Sequence, residues 1–275
     1  MPLAEKHSYP LGHSEQERER LKRQAAIYQD ITLRVFRQAG ITSGMRVLDV
    51  GCGVGDVSFA ARQLVGENGQ VFGIDRSADA VAEAADRARE AGWKNVHFEV
   101  GDCGSLDSPT TFDALVGRLV LLYQPDPAQT LKSLIRMLKQ NGIVSFLEYD
   151  MKLAPACYPS NPLFEWILSV VLTAFERTGV RLRMGAELHS TFVRAGLAPP
   201  KLHVEIPAGA GPDWVAYDMF TGVARSLLPG IEKFGIASLQ EIDIDTLADR
   251  LRDECVRTGA VTLTPAMVGA WSRVP

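Results

Sequence analysis

A chain of 275 residues with 46% hydrophobic and 23% charged residues has ordinary globular usage, which excludes disordered and fibrous classes and leaves room for one large domain or a core carrying a cap. Its formal net charge of −4 argues against long-range attraction to nucleic acid, because that binding rests on Lys and Arg neutralising phosphates. Residues 1–20 turn polar too early for a secretory signal, and no apolar run reaches the roughly 18 residues of a membrane helix, so a soluble cytoplasmic protein without a membrane span is expected.

From Ser14 onward, Leu21, Ala25, Tyr28, Thr32, Val35 and Ala39 recur at spacings of three and four before Gly40, which predicts an amphipathic helix, continuous or broken. The run MRVLDVG at 45–51 is short, apolar and glycine-ended, as suits a strand buried on both faces of a parallel sheet. A rhythm follows: helix 56–64, strand 70–75, helix 78–91, strands 95–100 and 112–116, helix 127–139, strand 142–149. Such alternation predicts βαβ units, since parallel strands need a crossover that a helix provides. Breaks are expected at Glu67-Asn68-Gly69 and Gln140-Asn141-Gly142. Beyond 150 the pattern becomes helical, with helices at 163–178, near 186–195, 212–228 and 239–258, and β-like pieces at 201–206 and 260–263. The four cysteines, Cys52, Cys103, Cys157 and Cys255, contain no CxxC pair, so neither a zinc ribbon nor a redox dithiol is written here.

The most informative segment is Asp49-Val50-Gly51-Cys52-Gly53-Val54-Gly55-Asp56, between the first strand and a helix. Glycines let the backbone turn sharply and approach a ligand, and the helix start offers free N–H groups. The spacing is G-x-G-x-G, not the G-x-G-x-x-G of a dinucleotide fingerprint, and no Gly-Lys-Ser/Thr makes it a P-loop. The acidic Asp56 competes with a pyrophosphate there but tolerates a zwitterionic group. Asp75, followed by Arg76 at the tip of the second strand, can accept hydrogen bonds from both hydroxyls of a ribose. Asp102 and Cys103 follow the third strand, where a carboxylate can take an exocyclic amine and a backbone N–H can reach a ring nitrogen. Each has a plain structural alternative: a tight strand-to-helix connection, a solvated aspartate beside a Ser77 cap, and a turn aspartate.

VLDVGCGVGDVS, VFGIDRS, VHFEVGDC and FDALVGRLVLLYQPDP…LKQNGIVSFLEYD resemble successive motifs of the class I methyltransferases over roughly residues 20–150. The resemblance implies an α/β, doubly wound, mostly parallel seven-stranded sheet with a helical N-terminal segment and helical cap insertions. It implies S-adenosyl-L-methionine as cofactor, with S-adenosyl-L-homocysteine as product. Asp49, Gly51 and Gly53 fall in the loop that wraps the methionine moiety, Asp75 and Arg76 at the ribose, and Asp102 and Cys103 at the adenine; Arg118, at the fourth strand tip, is a further cofactor candidate. Three consecutive regions are expected: 1–40 closing over the cofactor, 41–150 binding it, and 151–275 as cap and late strands. An antiparallel final pairing at the sheet edge fits the pieces at 201–206 and 260–263.

The chain most resembles small-molecule branches, similar to quinone-biosynthesis and natural-product enzymes that methylate carbon, oxygen or nitrogen. The Asn/Asp-Pro-Pro-Tyr/Phe tetrad of amino-methylating enzymes is replaced by Gly117-Arg118-Leu119-Val120-Leu121-Leu122-Tyr123, which argues against a nucleic-acid substrate. Methyl transfer is an in-line displacement, and some acceptors need a general base. His13, Glu148 and His189 are the candidates, each with a capping, edge-carboxylate or surface alternative. The partner is a small, apolar acceptor, no metal is required, and helix 163–175 suits a homodimer interface or a lid. A regulatory or non-methylating protein that binds the same cofactor, and an NAD-dependent oxidoreductase, are the competing readings.

Overall fold

The computed structural model describes residues 10–12, 15–103, 111–153 and 156–275. Its first half runs α1 (Glu15–Ala39), β1 (Arg46–Val50), α2 (Asp56–Val65), β2 (Gln70–Asp75), α3 (Ala78–Glu90), β3 (Val96–Val100), β4 (Phe112–Arg118), α4 (Pro127–Leu134) and β5 (Leu138–Asp150). The second half runs β6 (Ala156–Tyr158), α5 (Pro162–Arg177), α6 (Met184–Arg194), β7 (Lys201–Glu205), β8 (Ala208–Gly209), α7 (Ala216–Lys233), the single turn α8 (Leu239–Ile242), α9 (Leu247–Thr258), β9 (Val261–Leu263) and β10 (Ala266–Arg273).

Local chemistry sets the helix starts. Ser77 caps α3 by accepting from Ala80 N, Asp126 caps α4 through Ala128 N and Gln129 N, and Asn161 caps α5 through Phe164 N. Pro127 and Pro162 occupy first-turn positions, where a missing N–H has no cost.

Seven strands form one sheet in the order β3-β2-β1-β4-β5-β10-β7. The pairs β2–β3, β1–β2, β1–β4 and β4–β5 are parallel, and β10–β7 is antiparallel. The chain is therefore an α/β protein with a mostly parallel seven-stranded sheet and flanking helices. Val47, Leu48, Ala114, Leu115, Ile143, Val144 and Phe146 fill the sheet's centre with essentially no exposure. Strand order reverses between β1 and β4, and ligands of open α/β sheets bind outside the strand ends at such a reversal.

Several expected boundaries shift. The strand that pairs with β7 is β10, not the piece at 260–263, which forms β9 in a separate three-stranded sheet of order β6-β9-β8. Helix 127–139 stops at Leu134, because Leu138 already pairs with Phe112. The break expected at 140–142 is absorbed into β5 as a register shift, with Asn141 at φ 62. Helix 239–258 is two pieces, since Asp243 at φ 43 ends α8. Helix α7 runs through Pro229 to Lys233; burial of Leu227 and Ile231 on either side outweighs the local penalty.

The chain forms two compact units that interleave along the sequence and do not follow the three consecutive regions 1–40, 41–150 and 151–275. One, Ala25–Tyr149, Met184–Glu205 and Met267–Pro275, contains the large sheet. Within it α6 packs on α4, so the helix expected in a lid belongs with the sheet. The other unit, Met1–Gln24, Asp150–Arg183 and Ile206–Ala266, is mostly helical. There α7 packs against α5 and α9, and Phe164 stacks on Phe220 at 5.3 Å. A buried pair, Arg20 with Glu17, joins α7 through Ser226 Oγ, which donates to Glu17 at 2.8 Å. On α5, Phe164, Ile167, Val171 and Phe175 are buried, whereas Leu163, Trp166, Leu168 and Leu172 are half-buried. Among the described residues no helix is long and apolar enough to cross a membrane.

Candidate active site

The C-terminal tip of β1 is a tight turn. Gly51, Gly53 and Gly55 have φ of 65, 51 and 93, in the left-handed region that residues with a Cβ avoid. A Cβ at Gly51 would stand 2.7 Å from Val120 Cγ2, so the close approach to the β4 end also requires glycine. Asp75 braces the turn from the next strand: Gly53 N donates to its Oδ2 and Ser77 N to its Oδ1, both at 2.9 Å.

Beneath the turn, Asp49 is fully buried. Ser58 Oγ donates to its Oδ2 at 2.6 Å, and its Oδ1 has no hydrogen-bond partner among the described residues. Burial pushes the carboxyl up to about 7, against the Ser58 bond and the Arg118 charge, which hold it down. Arg118, at the tip of β4, donates through Nη1 to Thr32 Oγ1 at 2.9 Å, and Thr32 Oγ1 donates to Tyr28 O at 2.7 Å. Burial lowers the Arg118 pKa, opposed by Asp56, Tyr149, Asp49 and Tyr28. The Tyr28 and Tyr149 rings meet edge to face at 5.5 Å.

The remaining predicted residues fall differently. Arg76 and Asp102 pair with each other, Nη2 to Oδ2 at 2.7 Å, at the tips of β2 and β3, both near half exposed. Asp102 is thus held by a cation rather than standing alone for an amine. Burial pushes the Cys103 thiol up to about 11, leaving it protonated at neutral pH. Asp56 pairs with Arg87 at 2.8 Å, so its charge is compensated and does not itself repel a pyrophosphate; the glycine spacing carries that distinction. Glu148, expected near the acceptor as a base, is instead fully buried and accepts from three backbone amides, Val120 at 3.0 Å, Leu121 at 2.8 Å and Leu122 at 3.3 Å. A carboxylate so engaged is not presented to a substrate. His189 is exposed on α6, apart from the turn's residues in every contact described, and His13 lies outside the described residues.

Sequence reasoning missed Ser58, Thr32, Arg87 and Val120. Ser58 had a usable signal, a small polar residue on the first turns of α2. Thr32 had none, because it meets Arg118 across 86 positions of chain.

Burial of acidic groups gives a pH signature. Asp49 and Glu148 are raised by burial to about 7 and about 8, so the folded state favours their protonated forms. Their stabilising contribution is complete below the ordinary carboxyl range and is lost as pH rises through those values. The melting temperature is expected to fall between about pH 5 and about pH 9 from these groups, and Asp49→Asn to flatten the lower part of that slope. Thermal melts at pH 5, 7 and 9 check this; equal slopes in wild type and variant would refute the assignment to Asp49.

The family profile described as "Methyltransferase domain" matches residues 41–194. The chain belongs to the methyltransferase-domain family. This methyltransferase-domain protein is 34% identical over 105 residues to aklanonic acid methyltransferase DauC of Streptomyces sp. (strain C5), covering 38% of this chain and 48% of the relative. It is 37% identical over 114 residues to the 2-phytyl-1,4-naphtoquinone methyltransferase of Synechococcus elongatus, covering 41% and 49%. The chain thus spans about half the length of the curated relatives it matches. The YcgJ protein of Bacillus subtilis superposes with a TM-score of 0.59 at 21% identity, over 90% of this methyltransferase-domain chain and 99% of that one, a likeness of fold.

Proposed function

We propose that the chain binds S-adenosylmethionine at the tips of β1, β2 and β3 and promotes transfer of its methyl group to an oxygen, nitrogen or carbon atom of a small, apolar organic acceptor, releasing S-adenosylhomocysteine. The observation that carries this reading is the fully buried Oδ1 of Asp49, without a hydrogen-bond partner among the described residues, beneath the left-handed glycine turn. A buried acceptor of this kind calls for a donor such as an ammonium, directly or through water, because leaving it unmade costs about 1–3 kcal/mol. The residues fit the group elsewhere too. Asp75 has two oxygens at a strand tip for a ribose, Arg76, Asp102 and Cys103 border the adenine end, and Arg118 lies on the amino-acid side.

The bound cofactor supplies an activated methyl group; the protein's contribution is to orient the two reactants and exclude water. In the helical unit, Phe164, Tyr217, Phe220 and Leu251 line a small apolar cleft. We assign choice of acceptor to this unit, whose apolar lining suits a hydrophobic molecule.

The test is calorimetric titration with S-adenosylmethionine, S-adenosylhomocysteine and NAD. Binding of the first two without NAD supports the reading, and a following screen of small acceptors for S-adenosylhomocysteine formation identifies the substrate. Binding of NAD alone would return the site to dehydrogenase chemistry.

A further inference from the structure

Four consecutive amides after β4 are tied to two consecutive residues of β5. Leu119 N donates to Leu147 O at 2.9 Å, and the N–H groups of Val120, Leu121 and Leu122 converge on the Glu148 carboxylate. Leu119 itself sits at φ 59, a conformation unfavourable for a residue with a Cβ. Such a conformation persists only where the surroundings over-determine it. The Glu148 carboxylate does so here, since one buried group satisfies three donors at once. The fixed turn also carries Val120, whose methyl groups lie where a Gly51 side chain would be, against the glycine turn of β1.

We propose that Glu148 is a positioning residue: through Val120 it holds the Gly51–Gly53 turn in the shape that receives the cofactor, without touching the cofactor itself. The proposal rests on the reading of that turn as the S-adenosylmethionine site. It assigns Glu148 to ligand affinity and not to proton transfer from the acceptor. A glutamine is an incomplete substitute, because its one oxygen can accept from two of the amides while its amino group faces the third.

The experiment compares wild type, Glu148→Gln, Glu148→Ala, Val120→Ala and, as a stability control at the other end of β5, Ile143→Val. Each is titrated with S-adenosylhomocysteine well below its melting temperature, and amide exchange is followed by mass spectrometry over residues 50–55 and 119–122. Glu148→Ala is expected to weaken binding about tenfold, as loss of buried hydrogen bonds worth about 0.5–1.5 kcal/mol each implies, and to speed exchange in both segments. Glu148→Gln should recover most of that loss, to within about threefold of wild type, by keeping one acceptor oxygen. Val120→Ala should weaken binding in the same direction with the carboxylate intact. The control should melt earlier and bind as wild type does.

The inference is overturned if Glu148→Ala melts earlier yet binds as wild type does, or if exchange changes at 119–122 and not at 50–55. If Glu148→Ala does not fold, unchanged affinity in Val120→Ala overturns it equally. Absence of S-adenosylhomocysteine binding in wild type itself would defeat the cofactor reading, and this inference with it, a result distinct from any loss confined to the variants.

Discussion

Asp75→Ala is expected to weaken S-adenosylhomocysteine binding by more than about a hundredfold, the largest effect on affinity anticipated for a single side chain. Two contributions add. In the free protein the carboxylate holds Gly53 N and Ser77 N, so it shapes the β1 turn and the start of α3 together. In the proposed complex its oxygens face the ribose hydroxyls, and each hydrogen bond to a charged group is worth about 1.5–3 kcal/mol. Asp75→Asn keeps the shape and one acceptor oxygen, so it should fall between the two. Calorimetry on all three proteins, with melting temperatures measured alongside, checks the order. If Asp75→Ala retained wild-type affinity, the ribose assignment would be abandoned.

Gly51→Ala is expected to destabilise the fold by about 3 kcal/mol, the largest stability effect anticipated at the site. The left-handed backbone at φ 65 costs a residue with a Cβ roughly 1–2 kcal/mol. The new methyl would lie 2.7 Å from Val120 Cγ2, and relieving such overpacking costs about 1–3 kcal/mol more. The two terms separate in a double-mutant cycle, because Val120→Ala removes the clash and leaves the backbone cost. Denaturant unfolding of wild type, both single variants and the double should therefore show a favourable coupling of about 1–2 kcal/mol. A loss below 1 kcal/mol for Gly51→Ala, or additive single effects, would mean that the turn tolerates a side chain here.

The elements legible in the sequence were those fixed by neighbours along the chain. β2 was bounded correctly because an apolar, β-rich run ends at the aspartate that braces the next helix. The glycine turn was legible because left-handed backbone demands a residue without a Cβ whatever the tertiary context. Glu148 stands out in the sequence at the end of a strand, but nothing local reveals that three amides some 27 positions earlier converge on it. The pairing of β10 with β7 escapes the sequence for a related reason: residues 266–273 are not among its expected strands, and only long-range register decides that they, and not 260–263, join the large sheet. Asp56 shows the same limit, as its electrostatic meaning changes with Arg87 thirty-one residues away.

The sheet's order has a consequence for how the chain folds. β10 lies beside β5, yet it begins at Ala266 while β5 ends at Asp150, so a segment of roughly 115 residues must be looped back before that contact forms. The five strands β3-β2-β1-β4-β5 can pair through local crossovers, whereas the edge of β5, carrying Ile143, Val144, Phe146 and Leu147, stays uncovered until the chain returns. Refolding from denaturant should therefore pass through a species with this edge open, prone to intermolecular pairing at high protein concentration.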